Sequence, residues 1–162
     1  MFVPRSCYSC PVSNSVDGQL GAVAALVRST FLVNAVYVDS AREYGLTQQQ
    51  GQLLCVLMAQ PYGMSELGAT LGLAKSSLTG LVDRTERNGL VQRDPDPHDS
   101  RAVIVALTRR GAKLADAFYV ETCRRIEELT TGLIPAERDT LAALLTRVVM
   151  DNKVPTVFLE PR

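Results

Sequence analysis

Cys7 and Cys10 stand in a CxxC spacing near the start of the chain. Two thiols so placed can close a local disulfide on oxidation, or supply half of the ligands of a tetrahedral zinc site. Partners for a zinc ion are scarce. Cys55 and Cys123 fall on or beside apolar helical stretches and read as small core hydrophobes, and His98 is the single histidine. That histidine lies between Pro97 and Asp99 in a polar connection. A Ser-His-Asp or Cys-His enzyme would have to keep its base there, where no wall excludes water. The sequence holds no P-loop, GxGxxG, HExxH or paired-carboxylate pattern. The expectation is therefore no catalytic residue, no metal and no cofactor, with a redox or zinc response through Cys7 and Cys10 as the alternative.

A second set of residues points to nucleic acid. Lys75, Ser76, Ser77, Thr79 and Gly80 open a helical stretch on which Arg84 and Arg87 follow. Short hydroxylic side chains let a helix enter a major groove and exchange hydrogen bonds with base edges and phosphates, and a helix amino end favours phosphate. Arg101 stands at the returning end of Asp94-Pro95-Asp96-Pro97-His98-Asp99-Ser100-Arg101. On a protruding hairpin it could reach a narrow minor groove, with Asp99 orienting it. Arg84 and Arg93, with Arg109 and Arg110, are candidate phosphate contacts. The whole chain balances 17 Lys+Arg against 17 Asp+Glu, which excludes an indiscriminate polycation. From Arg84 to Arg110, however, six arginines face four acidic residues, so a basic field is expected locally.

The elements that must position these residues are mostly helical. With 162 residues, 46% of them hydrophobic and 21% charged, the chain suits one compact domain, or a lobe with a dimerisation appendage. Residues 1–14, with Pro4 and Pro11, have no helical or strand period and read as a flexible arm. A helix is expected from about Ser15 to Tyr44, ended by Gly45. Leu20, Val23, Val27, Phe31, Ala35 and Val38 recur at helical spacing, while Ala25, Leu26, Val33, Val36 and Tyr37 fill the other faces. Such an apolar helix is too long for one small lobe to cover, which predicts burial against a second subunit. Arg28, with Ser29, Thr30 and Asn34, argues against a membrane span, since a central cation costs roughly 2.5–3.5 kcal/mol. Residues 1–11 carry no basic-then-apolar leader, so the cytoplasm is expected.

Thr47 and Gln50 read as a capping box opening a helix with Leu53, Leu54, Val56, Leu57 and Met58 inward, closed by Pro61 and Gly63. Ser65 is expected to cap a short helix to Leu71, and Gly72 to turn the chain into a helix from Ala74 to about Asn88, stopped by Gly89. Leu67, Leu71, Leu73, Leu78, Leu81 and Val82 sit where two crossed helices must face each other. Leu90–Arg93 and Ala102–Leu107 are strand-like runs flanking a tip whose two prolines should stay out of the ladder. Thr108 caps a helix carrying Leu114, Ala115, Phe118, Thr122, Ile126, Leu129 and Leu133, and Pro135 opens the last one, with Leu141, Leu144, Leu145, Val148 and Val149.

Three segments resemble the MarR (multiple antibiotic resistance regulator) family. They are Leu46-Thr47-Gln48-Gln49-Gln50, the run from Leu78 through Asn88-Gly89-Leu90 to Arg93, and the run from Asp94 through Arg101 to Leu107-Thr108-Arg109-Arg110-Gly111. The resemblance spans roughly residues 20–150. It implies a mainly α fold with a small β-hairpin, in which a winged helix-turn-helix lobe is joined to a helical dimerisation lobe. Residues 15–45 would be the dimerisation helix, 46–110 the DNA-binding lobe, and 111–162 the helices and tail completing the dimerisation lobe. The implied function is transcriptional regulation, most often repression, by a homodimer on a pseudo-palindromic double-stranded operator, with a small-molecule effector in the cleft between lobes. Asp99 and Arg101 match the family's wing Asp and minor-groove Arg, and Ser76, Ser77 and Thr79 its base- and phosphate-contacting positions. Thr85, Ser100 and Ile134 depart from it, standing where an apolar residue, a second wing Arg and a Ser cap are usual. The rival reading is a winged helix that binds a protein partner, which would tolerate changes at Arg101 and Ser76.

Overall fold

The computed structural model describes residues 20–97, 99 and 102–154. In chain order its elements are α1 (Ala22–Glu43), α2 (Gln48–Leu57), β1 (Tyr62–Gly63), α3 (Met64–Leu71), α4 (Lys75–Arg87), β2 (Val91–Pro95), β3 (Val103–Leu107), α5 (Arg109–Glu128) and α6 (Pro135–Asp151). The expected arm, the cysteines Cys7 and Cys10, and the wing residues His98, Ser100 and Arg101 lie outside the described residues. The chain divides into two compact units, one ending at Leu32 and the other beginning at Val33, so α1 contributes to both.

In the first unit, Leu20 and Gly21 precede the helix, which runs from Ala22; residues 15–19 of the expected span lie outside the described residues. Gly21 is a poor helix former, costing about 1 kcal/mol against Ala inside a helix. Leu20, Val23, Leu26, Val27, Phe31 and Leu32 are exposed. Ser29 Oγ and Thr30 Oγ1 donate to their own helix, to Ala25 O at 2.8 Å and Val27 O at 2.7 Å, which makes this surface more apolar than its composition suggests. By length and mean hydropathy α1 is long and apolar enough to cross a membrane.

In the second unit, the last turns of α1 are part of a core. Ala41 is buried, and the rings of Tyr37 and Tyr44 stand 6.4 and 6.2 Å from that of Phe118 on α5. Gly45, at φ 66°, ends the helix while Leu46 N–H donates to Ala41 O at 2.8 Å, so the left-handed residue closes a Schellman turn. Thr47 then caps α2 reciprocally: Gln50 N–H donates to Thr47 Oγ1 at 3.2 Å and Thr47 N–H to Gln50 Oε1 at 3.0 Å. Helix α2 is the centre of the core, burying Leu53, Leu54, Cys55, Val56 and Leu57 against Phe118, Leu67 and Leu81. Met58, expected inward, is the exposed C-cap.

The sheet is antiparallel in the order β1-β3-β2, with Tyr62 opposite Val105 and Val91 opposite Leu107. Two residues are too few to show a period, and β1 escapes a sequence reading. Pro95 ends β2 opposite Val103, inside the ladder it was expected to avoid. An edge strand tolerates it because its outer side needs no N–H donor. Ser65 lies inside α3, whose N-cap is Gly63 without a side-chain bond, so the expected serine cap does not form.

Helix α5 buries Gly111, Ala115, Phe118, Tyr119 and Thr122, but its stripe stops early. Leu129 is the exposed C-cap and Leu133 lies in the turn beyond. Helix α6 has Pro135 in its first turn, and Ile134 N–H donates to the Glu137 carboxylate at 3.0 Å. Isoleucine has no acceptor to return, so only half of a capping box exists. No residue of α6 is buried; Leu144, Leu145, Val148, Val149 and Met150 are exposed together.

Candidate nucleic-acid interface

Helices α3 and α4 are joined by a tight turn. Gly72 takes φ 64°, Leu73 N–H donates to Gly68 O at 2.9 Å, and a Cβ at Gly68 would meet Leu73 O at 3.3 Å. The chain therefore needs a left-handed residue at one glycine and close backbone approach at the other. This turn fixes α4 against α3 through buried Leu67, Leu78, Leu81 and Val82. Leu71 and Leu73 are half-buried at the edge of that contact.

With that face inward, α4 turns its opposite side to solvent. Lys75, Ser76, Ser77, Arg84 and Arg87 are exposed, and Thr79, Gly80 and Asp83 are half-buried. Ala74, the N-cap, offers no side-chain acceptor to the first-turn amides. The amino end of α4 thus combines open N–H donors, a lysine and short hydroxyls, a combination suited to an anionic, groove-shaped surface. Thr79 Oγ1 donates to Lys75 O at 2.9 Å and keeps its lone pairs for acceptance. Thr85, where an apolar residue is usual, is fully buried, and its hydroxyl donates to Leu81 O at 2.8 Å. The departure leaves no unsatisfied polar group.

Arg84 makes no ion pair among the described residues; with Arg87, Asn88, Thr47 and Gln50 it lines an open hollow of about 340 Å³. Arg93 is different. Its Nη2 donates to Asp83 Oδ1 at 2.6 Å, and its Nη1 is paired with Glu86. The hydrogen bond to Asp83 is the largest cause holding its charged form, so the guanidinium is engaged by two carboxylates of α4. Sequence reasoning missed Asp83 and Glu86 as its partners, although both stand on the outward side of α4. Arg110 Nη1 donates to Asn88 O at 3.0 Å, so this arginine caps the carboxy end of α4. With Arg109 and Lys113 it lines an open depression of about 530 Å³.

At the hairpin tip, Asp96 N–H donates to Ala102 O at 3.0 Å and Ala102 N–H to Asp99 O at 2.9 Å. Asp99 is exposed. Its expected partner Arg101 is outside the described residues. Cys55 is buried and Cys123 half-buried, both as free thiols, and among the described residues no three His, Cys, Asp or Glu side chains gather as metal ligands.

A sequence model described as the MarR family matches residues 44–102. The HTH-type transcriptional repressor NicR of Pseudomonas putida is 33% identical over 146 residues, covering 89% of this chain and 92% of that protein. The chain belongs to the MarR family. Among solved structures, apo wild-type MarR from E. coli superposes with a TM-score of 0.71 at 26% identity, covering 81% of this chain and 98% of that one. The transcriptional repressor CouR, bound to a 23-mer DNA duplex, gives 0.68 at 27% identity, covering 80% and 92%. As a MarR-family protein the chain is a DNA-binding transcription regulator; its fold and relatives are those of regulators and not of enzymes.

Proposed function

We propose that this MarR-family regulator is a cytoplasmic homodimer that represses transcription from a pseudo-palindromic operator and responds to a small effector in the cleft between its lobes. The observation that carries the reading is the division of α4, with Leu78, Leu81, Val82 and Thr85 buried and Lys75, Ser76, Ser77 and Arg84 exposed. In the proposed complex, α4 enters the major groove, where Ser76, Ser77 and Thr79 meet base edges and phosphates and Gly80 permits close approach. Lys75 and Arg84 neutralise the backbone. Arg101, steadied by Asp99, takes the minor groove beside it. Two copies of α4 would occupy successive major grooves roughly 34 Å apart.

The dimer reading is supported by α6, a 17-residue helix with no buried residue and a run of exposed aliphatic side chains, and separately by the exposed apolar side chains of residues 20–32. Isolated surfaces of that kind cost free energy in water and are covered in stable proteins. Residues 15–45 and 111–162 would then form the dimerisation lobe and 46–110 the DNA-binding lobe. Repression is supported by relatives named as repressors, NicR and the homoprotocatechuate degradative operon repressor of E. coli.

Selection of genomic fragments with the purified protein, followed by binding titrations across salt, tests the reading. An inverted repeat should emerge, and Arg101→Ala should weaken binding and reduce the preference for A·T-rich flanks. Unchanged affinity would remove the wing from the mechanism, and failure to enrich any sequence would favour a protein partner. Size measurement at micromolar concentration should give a dimer; a stable monomer would overturn the assembly.

A further inference from the structure

Arg93 lies in β2 opposite Val105, and it joins the hairpin to α4 at three points. Its Nη2 reaches Asp83 Oδ1 at 2.6 Å, its Nη1 pairs with the Glu86 carboxylate, and its backbone N–H donates to Glu86 Oε1 at 3.2 Å. The side chain is 28% exposed, so water screens these pairs only in part.

The placement matters because the hairpin is otherwise tied to α4 near its base. Gly89, at φ 68°, makes the turn out of the helix, and Leu90 N–H donates to Thr85 O at 3.1 Å. Arg93 is three residues further along, a lever arm of roughly 10 Å at strand rise. A second attachment at that distance fixes an angle that a single hinge would leave adjustable.

We propose that Arg93 is a positioning residue for operator binding: by holding Asp83 and Glu86 it fixes the hairpin relative to α4, so that the two grip DNA together, without itself touching DNA. The proposal rests on the reading of α4 and the hairpin as the DNA contacts. Each role leaves a different thermodynamic mark. An arginine on a phosphate contributes roughly 0.9 to the slope of log affinity against log salt, whereas a positioning residue contributes none.

The experiment measures binding of the selected operator across salt for the wild type, Arg93→Gln, Arg93→Lys, the charge-swapped Arg93→Glu/Glu86→Arg pair, Arg101→Ala, and Arg101→Ala with Arg93→Gln. Thermal melting and the titrated active fraction accompany each, so that affinity is counted per folded protein. Arg93→Gln should weaken binding about tenfold with the salt slope unchanged. Arg93→Lys, a point charge without the planar fork, should fall between it and the wild type. The charge swap should recover affinity lost in Arg93→Gln, and adding Arg93→Gln to Arg101→Ala should cost little further. A slope lower by roughly 0.9 per arginine removed would make Arg93 a phosphate contact and overturn the proposal. So would full additivity with Arg101→Ala, or wild-type affinity in Arg93→Gln. If Arg101→Ala alone binds as the wild type does, the underlying reading of the hairpin fails instead, and that result is visible in its own arm.

Discussion

Gly111 lies so close to Leu90 that a Cβ on the glycine would stand 1.8 Å from the leucine's carbonyl oxygen. The same oxygen accepts from Thr108 N–H at 3.1 Å, while Thr108 Oγ1 donates to Gly89 O at 2.8 Å and accepts from Gly111 N–H at 2.9 Å. One threonine therefore caps α5 and ties it to the turn that ends α4. The missing side chain of Gly111 is what lets the two backbones meet there.

Gly111→Ala should accordingly destabilise the fold by about 3 kcal/mol, since the obstacle is backbone and cannot swing aside. For a chain of this size that corresponds to a fall in Tm of roughly 6–12 °C. Gly132→Ala, with nothing within 4 Å of the added carbon, is the control and should stay within about 0.5 kcal/mol. Urea denaturation of the two variants beside the wild type checks both values. Equal stability of Gly111→Ala and the wild type would show that the contact is not tight in solution.

Ser40 is fully buried on α1, and its Oγ has no hydrogen-bond partner among the described residues. A desolvated hydroxyl without a partner opposes folding, and alanine is the better helix former. Ser40→Ala should raise stability by about 1 kcal/mol, read as a higher denaturant midpoint with an unchanged m-value. A loss of stability would mean that the hydroxyl is satisfied in solution, by water or a ligand.

What the sequence made legible is the part of the fold governed by local rules. The Thr47 box, the Gly45, Gly72 and Gly89 terminators and the Thr108 cap all follow from residue types at fixed offsets, and the structure realises each of them. The inward face of α4 was equally readable, because Leu78, Leu81, Val82 and Thr85 obey one helical period. Tertiary pairing was not. Arg93 is exposed by any local rule until α4 brings two carboxylates to it, and Arg110 looks like a free cation until Asn88 O accepts its hydrogen bond. The serine at position 65 failed as a cap because the helix begins one residue earlier, where β1 hands the chain over. Ser76 and Arg87 could be placed on the open face from period alone, but which DNA groups they meet depends on a partner that sequence period does not encode.

Glu121 predicts an acid-side loss of stability. Hydrogen bonds from Arg124 and then Arg125 hold its carboxyl down to about 2 from an ordinary 4.5. Arg125 also reaches Glu43 at the end of α1, with Nη2 at 2.5 Å from Oε2, so this pairing joins two helices. A folded-state value below the unfolded one stabilises at pH above the ordinary value, and the contribution disappears as pH falls from about 4.5 toward 2. Urea midpoints should therefore drop more steeply over that window in the wild type than in Glu121→Gln, and added salt should narrow the difference. Parallel pH profiles would remove Glu121 from the acid response.

Cys55 should be inert in the folded protein. Burial first, and the neighbouring Cys123 second, push its thiol up to about 12, so almost no thiolate exists near neutral pH. With Cys7 and Cys10 replaced by serine, a disulfide reagent at pH 8 should leave Cys55 unmodified until denaturant unfolds the chain, as peptide mapping would record. Rapid native labelling at Cys55 would show that the core around α2 opens far more readily than its packing implies.

Arg84 and Arg110 separate contact from scaffold. Arg84 is exposed on the open side of α4 and makes no ion pair among the described residues, whereas Arg110 is committed to Asn88 O. Arg84→Ala should therefore weaken operator and unrelated DNA by similar factors and lower the salt slope by roughly 0.9 per arginine removed. Arg110→Ala should leave that slope unchanged and lower thermal stability instead, because it uncaps the carboxy end of α4. Fluorescence anisotropy on both DNAs between low and moderate salt, with melting curves alongside, reads both effects. A slope loss in Arg110→Ala, or none in Arg84→Ala, would mean that the DNA path follows the start of α5 and not the open side of α4.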